Sequence, residues 1–308
     1  MYDLKISGGF VVDGTGAPGR IMDVGIVGDR IVAVGNLDES AREEIDAAGR
    51  IVAPGFVDIH THYDGQATWD QEMAPSAWHG VTTVVMGNCG VGFAPAAPER
   101  QDWLIGLMEG VEDIPGSALA EGMTWDWESF PDYLNALEKL DRTIDVAAQV
   151  PHGAVRAYVM GDRGAANEAP TDSDIARMAS IVEEGLAAGA VGFSTSRTIL
   201  HKSVEGELVP GTTATKEELL GIGDALKRAG HGVFELASDL HPDWDEFGWM
   251  GDLSRDTGAA VAFTALESPI KGLSFAQQLA EMRVQNDAGA QIVAQISMRG
   301  TGLILGWR

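Results

Sequence analysis

Apolar and polar positions change rhythm near residue 55. From residue 4 to about residue 54, short apolar runs alternate with tight turns. Val24-Gly25-Ile26-Val27 and Arg30-Ile31-Val32-Ala33-Val34-Gly35 flank the two-residue turn Gly28-Asp29, the signature of a β-hairpin. Beyond Phe56, apolar stretches of strand length are separated by amphipathic segments, as in βα units built on a parallel sheet. The predicted strands are Phe56 to His60, Val81 to Met86, Ile144 to Val150, Ala190 to Ser194, Val233 to Ala237, Ala260 to Leu266 and Gln291 to Ile296. Asp172 to Ala188 and Lys216 to Ala229 carry helical periodicity, with Thr171 and Thr215 placed as N-caps.

Two domains follow from this change. Residues 1–54 are expected to form a small β-sandwich-like module, and residues 55–308 an α/β domain entered through the breaker Pro54-Gly55. Seven parallel strands are one short of the eight that close a (β/α)8 TIM-type barrel, so the expected fold is such a barrel, incomplete at the C-terminus.

Composition narrows the function. A barrel of about 250 residues plus an appended module accounts for the 308 residues, and a 45% hydrophobic content suffices for a large core. With 46 acidic against 21 basic residues the net charge is −25, which repels nucleic-acid backbones and anionic membrane surfaces. Met1-Tyr2-Asp3-Leu4-Lys5 has no basic leader character, and no run of 18 apolar residues occurs. Cys89 is the only cysteine, so no internal disulfide forms, and a cytoplasmic location is expected. The sequence leaves the oligomeric state open.

The chemistry concentrates where the rhythm changes. His60 and His62 are two residues apart at the end of an apolar run, and alternate residues of a strand face the same way, so two imidazoles can meet one metal ion. Such a pair in isolation is as often solvated or packed; the buried-strand lead Ile51-Val52-Ala53 and Phe56-Val57-Asp58-Ile59 favours the metal reading. Cys89 follows the second strand inside Gly87-Asn88-Cys89-Gly90, where glycines permit a sharp turn. A buried free cysteine is commonly inert packing, although its thiolate is a good zinc ligand.

The stretch Gly55 to Gly65 resembles the amidohydrolase superfamily. Phe56-Val57-Asp58-Ile59-His60-Thr61-His62-Tyr63-Asp64, Gly80 to Gly90, Ala190-Val191-Gly192-Phe193-Ser194-Thr195-Ser196, and Pro210-Gly211-Thr212 ahead of Ala214 to Leu219 are similar to the D-aminoacylase group. The resemblance implies a barrel holding one or two divalent ions, zinc in kind, with Cys89 joining His60 and His62 as ligands. It implies hydrolysis of a small-molecule amide, most closely an N-acyl-D-amino acid. It also implies an eighth strand bearing a catalytic aspartate, which places that residue beyond residue 308 and makes this sequence resemble an N-terminal portion of a longer enzyme. A compact variant, or one borrowing a strand from a partner, is the alternative.

Two strand ends depart from the group. Where relatives supply further histidines, the fifth strand reads Glu235-Leu236-Ala237-Ser238-Asp239-Leu240-His241 and the sixth Thr264-Ala265-Leu266-Glu267-Ser268. His241 falls late, and Asp239 or Glu267 would offer oxygen. Lys202 lies about eight residues past the fourth strand, more simply a surface lysine than a carboxylated metal bridge. His152, after the third strand, either polarises a substrate carbonyl or orients a loop. Arg197 is the candidate clamp for a substrate carboxylate, with a surface arginine as its alternative. Asp58 and Asp64 flank the histidines as strand-end and turn residues, and most of Trp69, Trp78, Trp103, Trp125 and Trp127 are expected in packing. The function classes left standing are a metal-dependent hydrolase of non-peptide C–N bonds, a cyclic-amide hydrolase, a catalytically silent protein on the same scaffold, and a truncated product.

Overall fold

The computed structural model describes residues 1–241, 244–267 and 272–297. The chain divides into two compact units, Met1–Phe56 and Val57–Arg308.

The first unit is a five-stranded sheet of β1 (Tyr2–Val11), β2 (Arg20–Val27), β3 (Arg30–Gly35), β4 (Ala41–Asp46) and β5 (Ile51–Val52). The hairpin expected around Gly28-Asp29 is the antiparallel β2–β3 pair. The two-layered sandwich expected from the sequence is not seen among the described residues, and the length of β1 is the reason. Its ten residues pair with β2 along one edge, and with β4 and then β5 along the other, so every strand joins one sheet.

The second unit is built on seven strands in sequence order: β6 (Phe56–Asp58), β7 (Val81–Met86), β8 (Asp145–Pro151), β9 (Gly192–Arg197), β10 (Val233–Ser238), β11 (Ala260–Thr264) and β12 (Ile292–Gln295). Every pair from β7 to β12 is parallel. Helices α1 (Gln101–Glu112), α2 (Gly116–Gly122), α3 (Phe130–Glu138), α4 (His152–Met160), α5 (Asp162–Ala165), α6 (Asp172–Ala188), α7 (Lys216–Ala229), α8 (Glu246–Thr257) and α9 (Phe275–Asp287) lie between the strands in sequence. The sheet curls into an incomplete barrel: His60 Nδ1, just past the first strand, comes within 3.0 Å of Gln295 Oε1 in the seventh.

Local chemistry sets these boundaries. Thr171 caps α6 by accepting from the Asp174 amide while Asp174 returns the contact, and Gly189 ends the helix in the left-handed region at φ 118°. That cap consumes Ala190, which bonds back to Gly185, so β9 begins at Gly192 and reaches Arg197 rather than ending at Ser194. At β6 the ladder stops at Asp58, two residues short of His60, because the Asp58 carboxylate accepts from the His60 amide and turns the chain. The core lies between sheet and helices, with Phe193, Phe234 and Phe263 from the strands against Val182, Ile222 and Leu253 from the helices, all buried.

Candidate metal centre

Barrel active sites form at the C-terminal ends of the strands, and the histidines sit there, beside a cavity of about 620 Å³. His60, His62 and Cys89 each bring one donor atom to within 4.8 Å of the others. His60 Nε2 is 3.2 Å from Cys89 Sγ, and the two imidazole rings meet edge to face at 5.5 Å between centroids. Two ligands of a tetrahedral zinc-class ion, at ~2.1 and ~2.3 Å from it, are themselves roughly 3.6 Å apart, so these separations suit one coordination sphere.

The loop carrying Cys89 explains its own sequence. Cys89 has φ 56°, a left-handed conformation uncommon outside glycine, and Gly87 at φ 77° and Gly90 at φ 69° flank it. A Cβ on Gly87 would strike the Gln149 carbonyl, and one on Gly90 would press on the Ser196 amide. Asn88 then fixes the turn. Its amide nitrogen donates to the Thr61 and Val85 carbonyls at 3.1 and 2.9 Å, and its oxygen accepts from Gln149 at 2.7 Å. The ends of the first three strands are thereby tied together behind the sulfur.

Three further side chains face this cavity or its donors: Glu112, His201 and Glu235. Glu112 Oε1, at the C-terminus of α1, is 3.2 Å from His62 Nε2. His201 lines the cavity with its Nδ1 held by Ser196 Oγ at 2.9 Å. Glu235, wholly buried in β10, accepts from the Cys89 amide at 3.0 Å and lies 3.8 Å from His60 Nδ1. The run Glu109 to Asp113 has the composition of a solvated helix end, so no local sequence signal marks Glu112. Glu235 lies on β10 three residues before its end, and a carboxylate within an apolar strand carries no spacing that marks it as facing a cysteine loop.

Burial dominates the electrostatics. It pushes the His62 pKa down to about 3 and that of His201 to about 4, aided by repulsion from His60. Desolvation raises Glu112 to about 7 and Glu235 to about 8, and it lifts the Cys89 thiol well above its usual range. No arginine or lysine lines the cavity among the described residues. His62 Nδ1 and Glu235 Oε1 are buried without a hydrogen-bond partner. A site crowded with soft and hard donors, and poor in positive charge, fits a divalent cation, whose charge would draw the raised Glu112, Glu235 and Cys89 values down and keep His62 and His201 neutral.

Other predicted residues are placed elsewhere. His152 is fully buried at the start of α4, with Nδ1 on Thr195 Oγ1 at 2.8 Å and Nε2 on Glu218 Oε1 at 3.1 Å, so both ring nitrogens are taken and neither reaches the cavity. Arg197 turns away from the donors: Nε binds Glu246 at 2.6 Å, its guanidinium donates to the Ala214 carbonyl, and Trp244 and Trp249 lie against it. Lys202 is exposed in a bridge with Leu208. Asp239 lines the cavity, but its two oxygens are occupied by Thr198 Oγ1 and the Ile199 amide. His241 lines a separate hollow with Trp244 and Glu246. Trp127 is buried on the Phe93 carbonyl, in packing as expected.

An incomplete parallel barrel with a metal-type donor cluster at its strand ends defines the class, and the sequence comparison agrees. The amidohydrolase family matches residues 43–293, and the chain belongs to that family. Within it the chain is similar to a D-aminoacylase of Alcaligenes xylosoxydans xylosoxydans, 38% identical over 230 residues that make up 74% of this chain and 43% of that protein. Its fold superposes on a D-aminoacylase structure described for its binuclear metal centre, with one-metal activation and second-metal attenuation, at a TM-score of 0.79 and 32% identity over 96% of this chain and 58% of that one. It also superposes on an N-acyl-D-glutamate deacylase of Bordetella bronchiseptica in complex with zinc and a phosphonate mimic of the tetrahedral intermediate, at a TM-score of 0.73 and 29% identity, over the same shares of the two chains. The chain thus spans less than half the length of the curated relative it matches.

Proposed function

We propose that the protein is a metal-dependent hydrolase of non-peptide C–N bonds, acting on a small N-acyl-D-amino acid in the manner of its deacylase relatives. The convergence of His60, His62 and Cys89 beside the cavity carries this reading. A divalent ion of the zinc class, when bound, supplies an activated water and polarises the scissile carbonyl.

The chain's own residues do the rest. His60, His62 and Cys89 are the holding set. Glu235 steadies it from below by accepting the Cys89 amide and facing His60, and Gln295 fixes the His60 ring from the far strand. Ile199, Leu200, Leu266 and Leu273 give the cavity an apolar wall suited to an acyl chain. Burial within that wall strengthens every polar contact made to the substrate amide.

Zinc analysis by mass spectrometry, paired with a panel of N-acyl-D-amino acids and cyclic amides, tests the assignment. Expected are bound zinc in this chain and, in a version extended through the expected eighth strand, turnover of the acyl-D-amino acids, both lost in His60→Ala. An extended, zinc-loaded version that hydrolyses nothing would favour the silent-scaffold reading, and a His60→Ala variant as active as its parent would remove the metal from the reaction.

A further inference from the structure

We infer that Thr264 and Gln278 form a specificity subsite for a neutral carboxamide, so that the preferred substrate is an N-acyl-D-amino acid with an amide-bearing side chain of the glutamine or asparagine type. This subsite rests on the hydrolase reading above and deepens it, from the amide that all such substrates share to the group that tells one from another.

Gln278 is 2% exposed and projects from the N-terminal end of α9, where its backbone amide donates to the Ser274 carbonyl at 2.9 Å. Ser274 caps that helix in a reciprocal pair of hydrogen bonds with Gln277, which sets the place from which Gln278 reaches inward. Its Nε2 donates to the Leu266 carbonyl at 2.8 Å and to the Leu273 carbonyl at 2.7 Å. Both hydrogens of the amide nitrogen are thus spent, and the oxygen end of the carboxamide is fixed. That oxygen, Oε1, is buried without a hydrogen-bond partner among the described residues, in a side chain that lines the cavity beside the metal donors.

Thr264 supplies the complement. It ends β11 in register with Gln295 of β12, the residue that meets His60, and side chains paired across a ladder stand on one face of the sheet. The subsite therefore lies one strand over from the contact that orients His60. Thr264 lines the same cavity, and its Oγ1 is likewise buried and unpartnered among the described residues. A carboxamide answers both groups at once: its N–H donates to Gln278 Oε1 and its carbonyl accepts from the Thr264 hydroxyl. A carboxylate brings no hydrogen to Gln278, and it would enter a cavity lined by Glu112 and Asp239 with no arginine or lysine among the described residues. An aliphatic group leaves both polar atoms buried and unmet. Every substrate of the proposed class carries the α-carboxylate, so the discrimination falls on the side chain.

Titration calorimetry in the presence of zinc, with N-acetyl-D-glutamine, N-acetyl-D-norleucine and N-acetyl-D-glutamate, tests the subsite on the 308-residue chain and on Thr264→Val, which exchanges the hydroxyl for a methyl of similar size. Thermal melts establish folding. In the parent the glutamine derivative is expected to bind about 10- to 100-fold more tightly than either of the others, and in Thr264→Val that advantage should fall about 10-fold. If Thr264→Val does not fold, Gln278→Leu carries the same reading, and Thr264→Ser, which keeps the hydroxyl, should retain the advantage. The quantity read is the ratio between ligands: damage to the wall that weakens all three alike leaves the ratio unmoved and counts against the subsite. Equal affinities in the parent, a preference for the glutamate or norleucine derivative, or binding of none of the three would overturn it. Turnover in a version extended through the expected eighth strand separates this subsite from the reading on which it rests. Hydrolysis without a carboxamide preference strikes the subsite and keeps the hydrolase, whereas the expected order of binding with no hydrolysis strikes the hydrolase and keeps the subsite.

Discussion

His60 Nδ1 lies 3.0 Å from Gln295 Oε1 across 235 residues of sequence, so the first strand end and the seventh strand meet through their side chains. An amide oxygen can only accept, so the contact puts the proton of His60 on Nδ1 and leaves Nε2 with its lone pair facing Cys89 Sγ. The curl of the sheet thereby selects a tautomer.

Removing that contact should weaken the metal without unfolding the protein. Gln295→Leu is expected to raise the zinc dissociation constant roughly 10- to 100-fold, as loss of an outer-shell partner commonly does. Chelator competition measures it; an unchanged constant would show that His60 is oriented by other means.

The buried group formed by His152, Arg156, Glu218 and Thr195 is structural. Arg156 is 1% exposed and Glu218 wholly buried, 3.5 Å apart, with His152 on the same carboxylate oxygen. Glu218→Ala strands a buried guanidinium and should cost about 3–5 kcal/mol in urea unfolding. A loss under 1 kcal/mol would mean that water reaches Arg156.

Gly110 offers a test of sign. In an exposed helix, Gly→Ala gains about 1 kcal/mol from propensity alone. Here the methyl meets the backbone at residues 202–204, so Gly110→Ala should lower the melting temperature, and a rise would show that the loop yields easily.

Acid stability has a defined contributor in Asp174, whose pKa is held near about 2 by Arg163 and by the Thr171 amide. A carboxylate with a depressed folded value stabilises above its ordinary value of 3.8 and loses that contribution as pH falls through about 2. Asp174→Asn should therefore be less stable than the parent at pH 6, by about 1 kcal/mol for the broken cap, with the difference closing between pH 4 and pH 2. A difference that does not change with pH would refute the electrostatic part.

Which features could be read from the sequence depended on the range of the interaction that fixes them. Strand and helix order followed from apolar periodicity, because burial of one face is a local pattern, and Thr171 and Thr215 were readable as caps for the same reason. His60, His62 and Cys89 stood at strand ends, where the fold makes position predictable. Glu112 and His201 did not: one closes a helix of acidic and apolar residues, the other sits in an irregular loop, and the long-range packing of α1 at Gly106 and Gly110 against residues 202–204 joins them. His152 and Arg197 occupied plausible strand ends, but buried carboxylates at Glu218 and Glu246 claimed them. Such pairings have no sequence spacing to reveal them.

The left-handed backbone at Cys89 also governs which replacements the loop admits. Residues branched at Cβ clash there, whereas aspartate and asparagine tolerate the conformation well. An exchange of sulfur for oxygen is thus available at this one position with the turn left standing. Preference between thiophilic and oxophilic ions becomes a property that a single codon can tune.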